Sequence, residues 1–120
     1  MKPIISESVY KILSNLIRRK KTIEVEPLGE ELSKAKIVKD NFLDSKIVSL
    51  NSIVEFISSS FKKPMRLQIV LPEEADLKQK KISILSPIAI ALLGFRETDH
   101  FTWKMPSGIK KLTILKVHNY

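Results

Sequence analysis

The sequence predicts an α+β fold, and three observations carry the prediction. Apolar residues recur at helical spacing through the first 40 positions. From residue 47 they alternate with polar residues at strand spacing. Helical spacing then returns once, in a short segment opened by Ser86-Pro87. Helices gathered at one end of the chain and strands at the other favour an antiparallel sheet carrying one short helix, preceded by an antiparallel helical hairpin.

Each element has a local reason. Ser6 is a natural cap for a helix beginning near Glu7, and Val9, Leu13 and Leu16, flanked by Tyr10 and Ile17, form its apolar stripe. The stripe ends in Arg18-Arg19-Lys20-Lys21. Residues 22–26 read as a turn, and Pro27 suits the first position of a second helix with Leu28, Leu32 and Ala35 on one face. Residues 41–45 (NFLDS) break the helical period. In 47–57, Val48, Leu50, Val54 and Phe56 share a strand face that Ser52 interrupts, and 58–64 (SSSFKKP) is a polar turn. Met65, Leu67, Ile69 and Leu71 mark a half-buried strand that Pro72 ends, and 82–85 (ISIL) is a short strand. Ser86 caps the helix PIAIALLGF, with Pro87 at its first position, Ile88, Leu92 and Phe95 on one face and Gly94 as its stop. Strands at 101–105 and 109–117 flank a Pro106-Ser107-Gly108 turn, with Phe101 and Trp103 facing the core.

Composition narrows the function. The chain has 120 residues, 43% hydrophobic and 28% charged, which suits one globular domain with a small appendage. With no Cys there is no thiolate nucleophile, disulfide or cysteine zinc site, and two His do not make a multi-histidine metal centre. The opening residues lack the apolar core and cleavage site of a signal peptide, and no apolar run approaches the roughly 20 residues of a membrane span. A soluble, cytoplasmic protein is the expectation. The net charge of +8 points to a polyanionic partner: nucleic acid, an acidic protein face or anionic lipid. The excess is spread along the chain: residues 1–40 hold nine basic and six acidic residues, and only 18–21 form a dense run.

Candidate chemistry is sparse. Glu24 and Glu26 lie at the hairpin tip, where paired carboxylates can hold Mg²⁺, but they read more simply as a solvated turn beside basic residues. Glu73, Glu74 and Asp76 lack the convergent spacing of a cation site. Asp99-His100 has no serine in a nucleophile-elbow pattern to complete a triad, and the three glycines, far apart, make no phosphate loop. Neither a catalytic residue, a metal site, a cofactor nor a small-molecule substrate is indicated.

Residues 82–117, ISILSPIAIALLGFRETDHFTWKMPSGIKKLTILKV, resemble the C-terminal signature of the GreA/GreB (Gre-type) transcription elongation factors. The pattern comprises a strand, Ser-Pro opening a helix with Ala-Leu-Leu-Gly, a short acidic-ended loop, and two strands about a Pro/Gly turn. Val48, Ser52 and Val54 and the segment IVLPEEAD (69–76) extend the likeness to 45–117. Ala89 stands where the family often has Gly. The resemblance implies an FKBP-like domain over 43–120, behind a short hairpin, a truncated coiled coil, at 1–42. The hairpin is half the length or less of the coiled coil in cleavage-stimulating members, and 31–38 (ELSKAKIV) is similar to the short-coil branch, the regulators of nucleoside diphosphate kinase (Rnk).

In Gre-type factors the C-terminal domain docks on the RNA polymerase β′ subunit at the rim of the secondary channel. By position this places Leu85, Ser86, Pro87 and Ile88 at the partner surface. The tip residues Arg18, Arg19, Lys20, Lys21, Glu24 and Glu26 would lie at the channel entrance, with nucleic acid nearby. The expected function is non-enzymatic regulation by occupying that entrance in competition with longer factors. The rivals are a basic DNA- or nucleic-acid-binding module, a cleavage-stimulating factor using Glu24 and Glu26, and, by fold analogy alone, a prolyl isomerase.

Overall fold

The computed structural model describes residues 2–61 and 63–119. Met1, Lys62 and Tyr120, which fall in the expected hairpin, the 58–64 turn and the C-terminal domain, lie outside the described residues. The elements in chain order are β1 (Ile4–Ser6), α1 (Glu7–Lys20), α2 (Glu26–Lys34), β2 (Lys36–Val38), β3 (Ile53–Ser58), β4 (Met65–Val70), β5 (Lys81–Ser83), α3 (Pro87–Leu92), β6 (His100–Met105) and β7 (Gly108–His118). The fold is α+β, as the sequence predicts. Single turns of 3₁₀ helix at Ile23–Val25, Asp40–Phe42, Pro72–Glu74 and Leu77–Gln79 serve as connectors.

The hairpin forms for the reasons read from sequence. Ser6 Oγ accepts from the Val9 N–H at 3.3 Å and opens α1. Asp40, from far along the chain, accepts from the Ser8 N–H at 3.0 Å, so two donors of the first turn are satisfied. Lys21, at φ 43°, closes the helix by donating its N–H to Ile17 O at 3.2 Å. α2 starts one residue earlier than expected, at Glu26, leaving Pro27 in its first turn.

The main sheet has the order β5-β4-β3-β7-β6. Its β4-β3-β7-β6 pairs are antiparallel, while β5 joins the edge parallel to β4, with Ile69 beside Ile82. The parallel β5 departs from the antiparallel sheet that the sequence predicts, and two further features were not anticipated. β1 and β2 pair in parallel, Ile5 beside Ile37, forming a two-stranded ribbon. A bulge between Glu55 and Phe56 shifts the β3–β7 register.

The strand expected over 47–57 is shorter. Only Ile53–Ser58 pairs as a strand, because the chain turns at 49–52: Asn51 has φ 72° and the Ser52 N–H donates to Ser49 O at 3.1 Å. Ser52, fully buried, is the pivot of that turn. Its Oγ accepts from the Ser49 N–H at 2.7 Å and donates to Asn119 Oδ1. Asn119 Nδ2 in turn donates to Ser45 O and Ile47 O, both at 2.8 Å. The strand expected at 82–85 likewise runs Lys81–Ser83, with Ile84 and Leu85 already in the turn toward α3.

The core lies between one face of the sheet and the helices. Val54, Phe56, Ile69, Leu112 and Ile114 meet Ala89 to Leu93, and Leu13, Leu16, Leu28 and Leu32 of the hairpin belong to the same apolar cluster. The hairpin is therefore packed on the sheet domain, not projected from it. No helix among the described residues is long and apolar enough to cross a membrane.

Candidate partner-binding site

The turn from β5 into α3 is held by its own serines. Ser83 Oγ accepts from the Leu85 N–H at 3.0 Å, and the Ser86 N–H donates to Ser83 O at 2.9 Å. Ser86 then caps α3: its Oγ accepts from the Ala89 N–H at 3.4 Å, and its carbonyl accepts from the Ile90 N–H at 3.1 Å. Pro87 needs no partner for its nitrogen and stands exposed at the helix start. Leu85 and Ile88 are half-buried beside it. The geometry is fixed within the chain by two serine hydroxyl bonds and two backbone bonds.

A hollow lies on each side of this turn. On the Ile88 side, a cleft of about 570 Å³ is walled mainly by Phe56, Phe61, Met65, Leu67, Leu77 and Met105. Phe61 and Leu77 are 54% and 82% exposed, an open apolar rim. On the other side, a groove of about 220 Å³ runs between Pro27, Glu30 and Glu31 of α2 and Leu85, Pro87 and Ile90, closed off by Trp103 and Pro106. Glu31, largely buried here, pairs with Lys34 at 3.6 Å. Sequence reasoning found the turn but missed both hollows. An aromatic in the polar run SSSFKKP and a leucine between Asp76 and Lys78 were the available signals.

The tip residues sit apart from these hollows. Arg18, Arg19 and Lys20 form the last turn of α1 and Lys21 is its cap, all exposed. Glu24 pairs with Lys20 at 3.8 Å, and Glu26 opens α2. Among the described residues, three or more His, Cys, Asp or Glu side chains nowhere gather as a metal would need. Asp99 is turned away from any relay: its Oδ2 accepts from the Arg96 N–H at 2.8 Å. Two carboxyls are held below the usual range, Asp40 by hydrogen bonds from the Ser8 side chain and N–H, and Glu97 by the Val117 N–H. Asp40 thereby caps the first turn of α1, and Glu97 holds the backbone of β7.

The chain is thus an α+β domain whose sheet leads through a doubly bonded Ser-Pro turn into one short helix. Comparison with known proteins makes this specific. Residues 43–119 match the family model for the transcription elongation factor GreA/GreB C-terminal domain, and the chain belongs to that family. It is 36% identical to the transcription elongation factor GreA of Alkaliphilus oremlandii over 78% of this chain and 58% of the relative. It is 37% identical to the GreA of Thioalkalivibrio sulfidiphilus, covering 78% and 60%. The chain thus spans about three fifths of the length of the curated relatives it matches. A solved GreA/GreB-type elongation factor from Nitrosomonas europaea superposes with a TM-score of 0.77 at 30% identity, over 99% of both chains. Thermus aquaticus Gfh1 shares the fold, with a TM-score of 0.53 at 20% identity over 98% of this chain and 99% of that one.

Proposed function

We propose that this chain is a non-enzymatic, cytoplasmic regulator that binds RNA polymerase through the Leu85-Ser86-Pro87-Ile88 turn, at the β′ rim of the secondary channel. The observation that carries the reading is the Ser83-Ser86 turn, presenting Pro87 between two hollows, in a member of the GreA/GreB family. The apolar cleft beside Ile88 receives an apolar side chain of the partner, and Pro87 adds contact without an unsatisfied donor. Residues 1–42 act as a short appendage on the docking domain at 43–120, with the Arg18–Lys21 run toward the acidic channel entrance. No cofactor or small-molecule substrate enters this mechanism.

Reach argues against a cleavage role for Glu24 and Glu26. α1 has 14 residues and so extends about 21 Å, and its inner face is packed on the sheet domain. The protein acts by occupying the entrance and displacing longer factors. Its close match in length and fold to the Nitrosomonas europaea structure supports a compact hairpin as a recurring design.

The test is co-purification with core RNA polymerase. Wild-type chain is retained, and Leu85→Asp/Ile88→Asp, checked for folding by circular dichroism, loses retention at least tenfold. A cleavage-stimulating factor added in excess displaces the wild type. Retention that ignores these substitutions overturns the assigned surface, and no retention at all overturns the proposal. Transcript cleavage in stalled complexes that is lost on Glu24→Ala/Glu26→Ala would instead establish the cleavage reading.

A further inference from the structure

The five-stranded sheet buries one face under the helices and leaves most of the other open, with Val70 buried on it at the β4–β5 edge. The register assigns the residues of that second face. Glu55 lies opposite Arg66 on β4 and Lys116 on β7. Thr102 lies opposite Lys111, and Lys104 opposite Ile109. Gln68 lies beside Lys81 on β5. Successive same-face positions alternate along each strand, so all these side chains leave the sheet on the side away from α3.

This face is basic from edge to edge. Lys104 on β6, Lys111 and Lys116 on β7, Arg66 on β4 and Lys81 on β5 supply five cations, and every strand but the central β3 contributes. Lys104, Lys111, Lys116 and Arg66 are exposed. Glu55 is the one carboxylate on this face of the five strands; it lies between Lys116 and Arg66 and is 3.6 Å from His118 Nε2. Between the cations stand Thr102, Thr113 and Gln68, which can donate hydrogen bonds, and the exposed apolar side chains of Ile57 and Leu115. The span from β6 to β4 is about 15 Å at the usual strand spacing.

No two of these cations stand directly opposite one another in the register, and Glu55 alone offsets them, so the band keeps a net positive charge open to a partner. We propose that the open face of the sheet binds single-stranded nucleic acid through its phosphates, with the cationic band as the electrostatic footprint. The charge is complementary, and the surface is wide, with a small hollow of about 140 Å³ beside Arg66 and Gln68, which suits an extended strand. Base identity is not read, since the face offers scattered hydroxyl and amide donors and no ordered set of base-edge partners. The face is on the opposite side of the sheet from α3, so a strand bound there leaves the Leu85–Ile88 turn free. The inference does not depend on polymerase docking.

The experiment measures fluorescence anisotropy of a labelled 15-nucleotide oligodeoxythymidylate with the full chain at several KCl concentrations. The control Arg18→Gln/Arg19→Gln/Lys20→Gln removes three charges at the hairpin tip; Arg66→Gln/Lys111→Gln/Lys116→Gln removes three from the sheet. The sheet variant is expected to bind at least tenfold more weakly than the tip variant at 50 mM salt. Its log–log salt slope should fall by about two, as loss of three phosphate contacts requires for a single strand. Circular dichroism melts confirm that both variants fold. Equal weakening by both variants, or greater weakening by the tip variant, overturns the assignment. So does the absence of wild-type binding at 50 mM KCl. Equally effective competition by polyglutamate would show that the face takes an acidic protein instead, and overturns it too.

Discussion

Gly94 carries more than the helix stop that its place in the sequence suggests. At φ 84° its N–H donates to Val48 O and its carbonyl accepts from the Ile4 N–H, both at 2.9 Å, so one residue ties α3, the 47–48 segment and β1 together. A Cβ at this position would stand 2.4 Å from Pro3 Cβ and 2.8 Å from Ile4 N. Gly94→Ala therefore combines left-handed strain with a backbone collision, and we expect a loss of about 2–4 kcal/mol in urea denaturation. Glu97 acts through charge. Its Oε1 accepts from the Val117 N–H at 3.0 Å and its Oε2 is 3.5 Å from Lys46 Nζ. Because its folded-state pKa is lowered from 4.5, it stabilises the fold above that value and loses this contribution as pH falls through the lower, folded-state value. A series of melts from pH 6 to pH 3 should thus show a steeper fall in Tm for wild type than for Glu97→Gln. Equal slopes would remove Glu97 from the account. Ser52 reads from sequence only as an interruption of a strand face. Its meaning depends on a partner 67 residues away, which no local pattern reveals.

At the scale of elements, caps and breakers were the legible features. Ser6 and Ser86 open α1 and α3 as their sequence context predicts, because an N-cap interaction spans only three residues. Ser86→Ala should lower stability by about 1 kcal/mol, whereas Pro87→Ala should leave the melting temperature nearly unchanged. Comparing polymerase retention by the two variants then separates the turn's folding role from its docking role. Strand limits were less legible. The alternation over 47–57 continues across a turn, since Val48 and Leu50 pack on the core from irregular backbone. β1 and β2 have three residues each and pair in parallel, so neither alternation nor a hairpin turn announces them.

For the whole molecule, the common core has a mechanical consequence. Leu28 is fully buried in the cluster that contains Ile90 and Leu112, so the hairpin and the sheet lose packing together. Leu28→Ala should cost about 2–5 kcal/mol. Far-UV circular dichroism and the fluorescence of Trp103 should still report one coincident transition. A separate early melting of helix would show instead that the hairpin folds independently. The sequence by itself determined the α+β class, the order of the main helices and strands, the Ser-Pro turn and the family, because these rest on periodicity, capping and contiguous motifs. Tertiary structure alone decided that β5 joins parallel at the edge, that the hairpin lies against α3, that two hollows flank Pro87, and that dispersed lysines share one face. Those features arise where residues distant in sequence are brought side by side, and their energetics depend on burial and register that no short window of sequence contains.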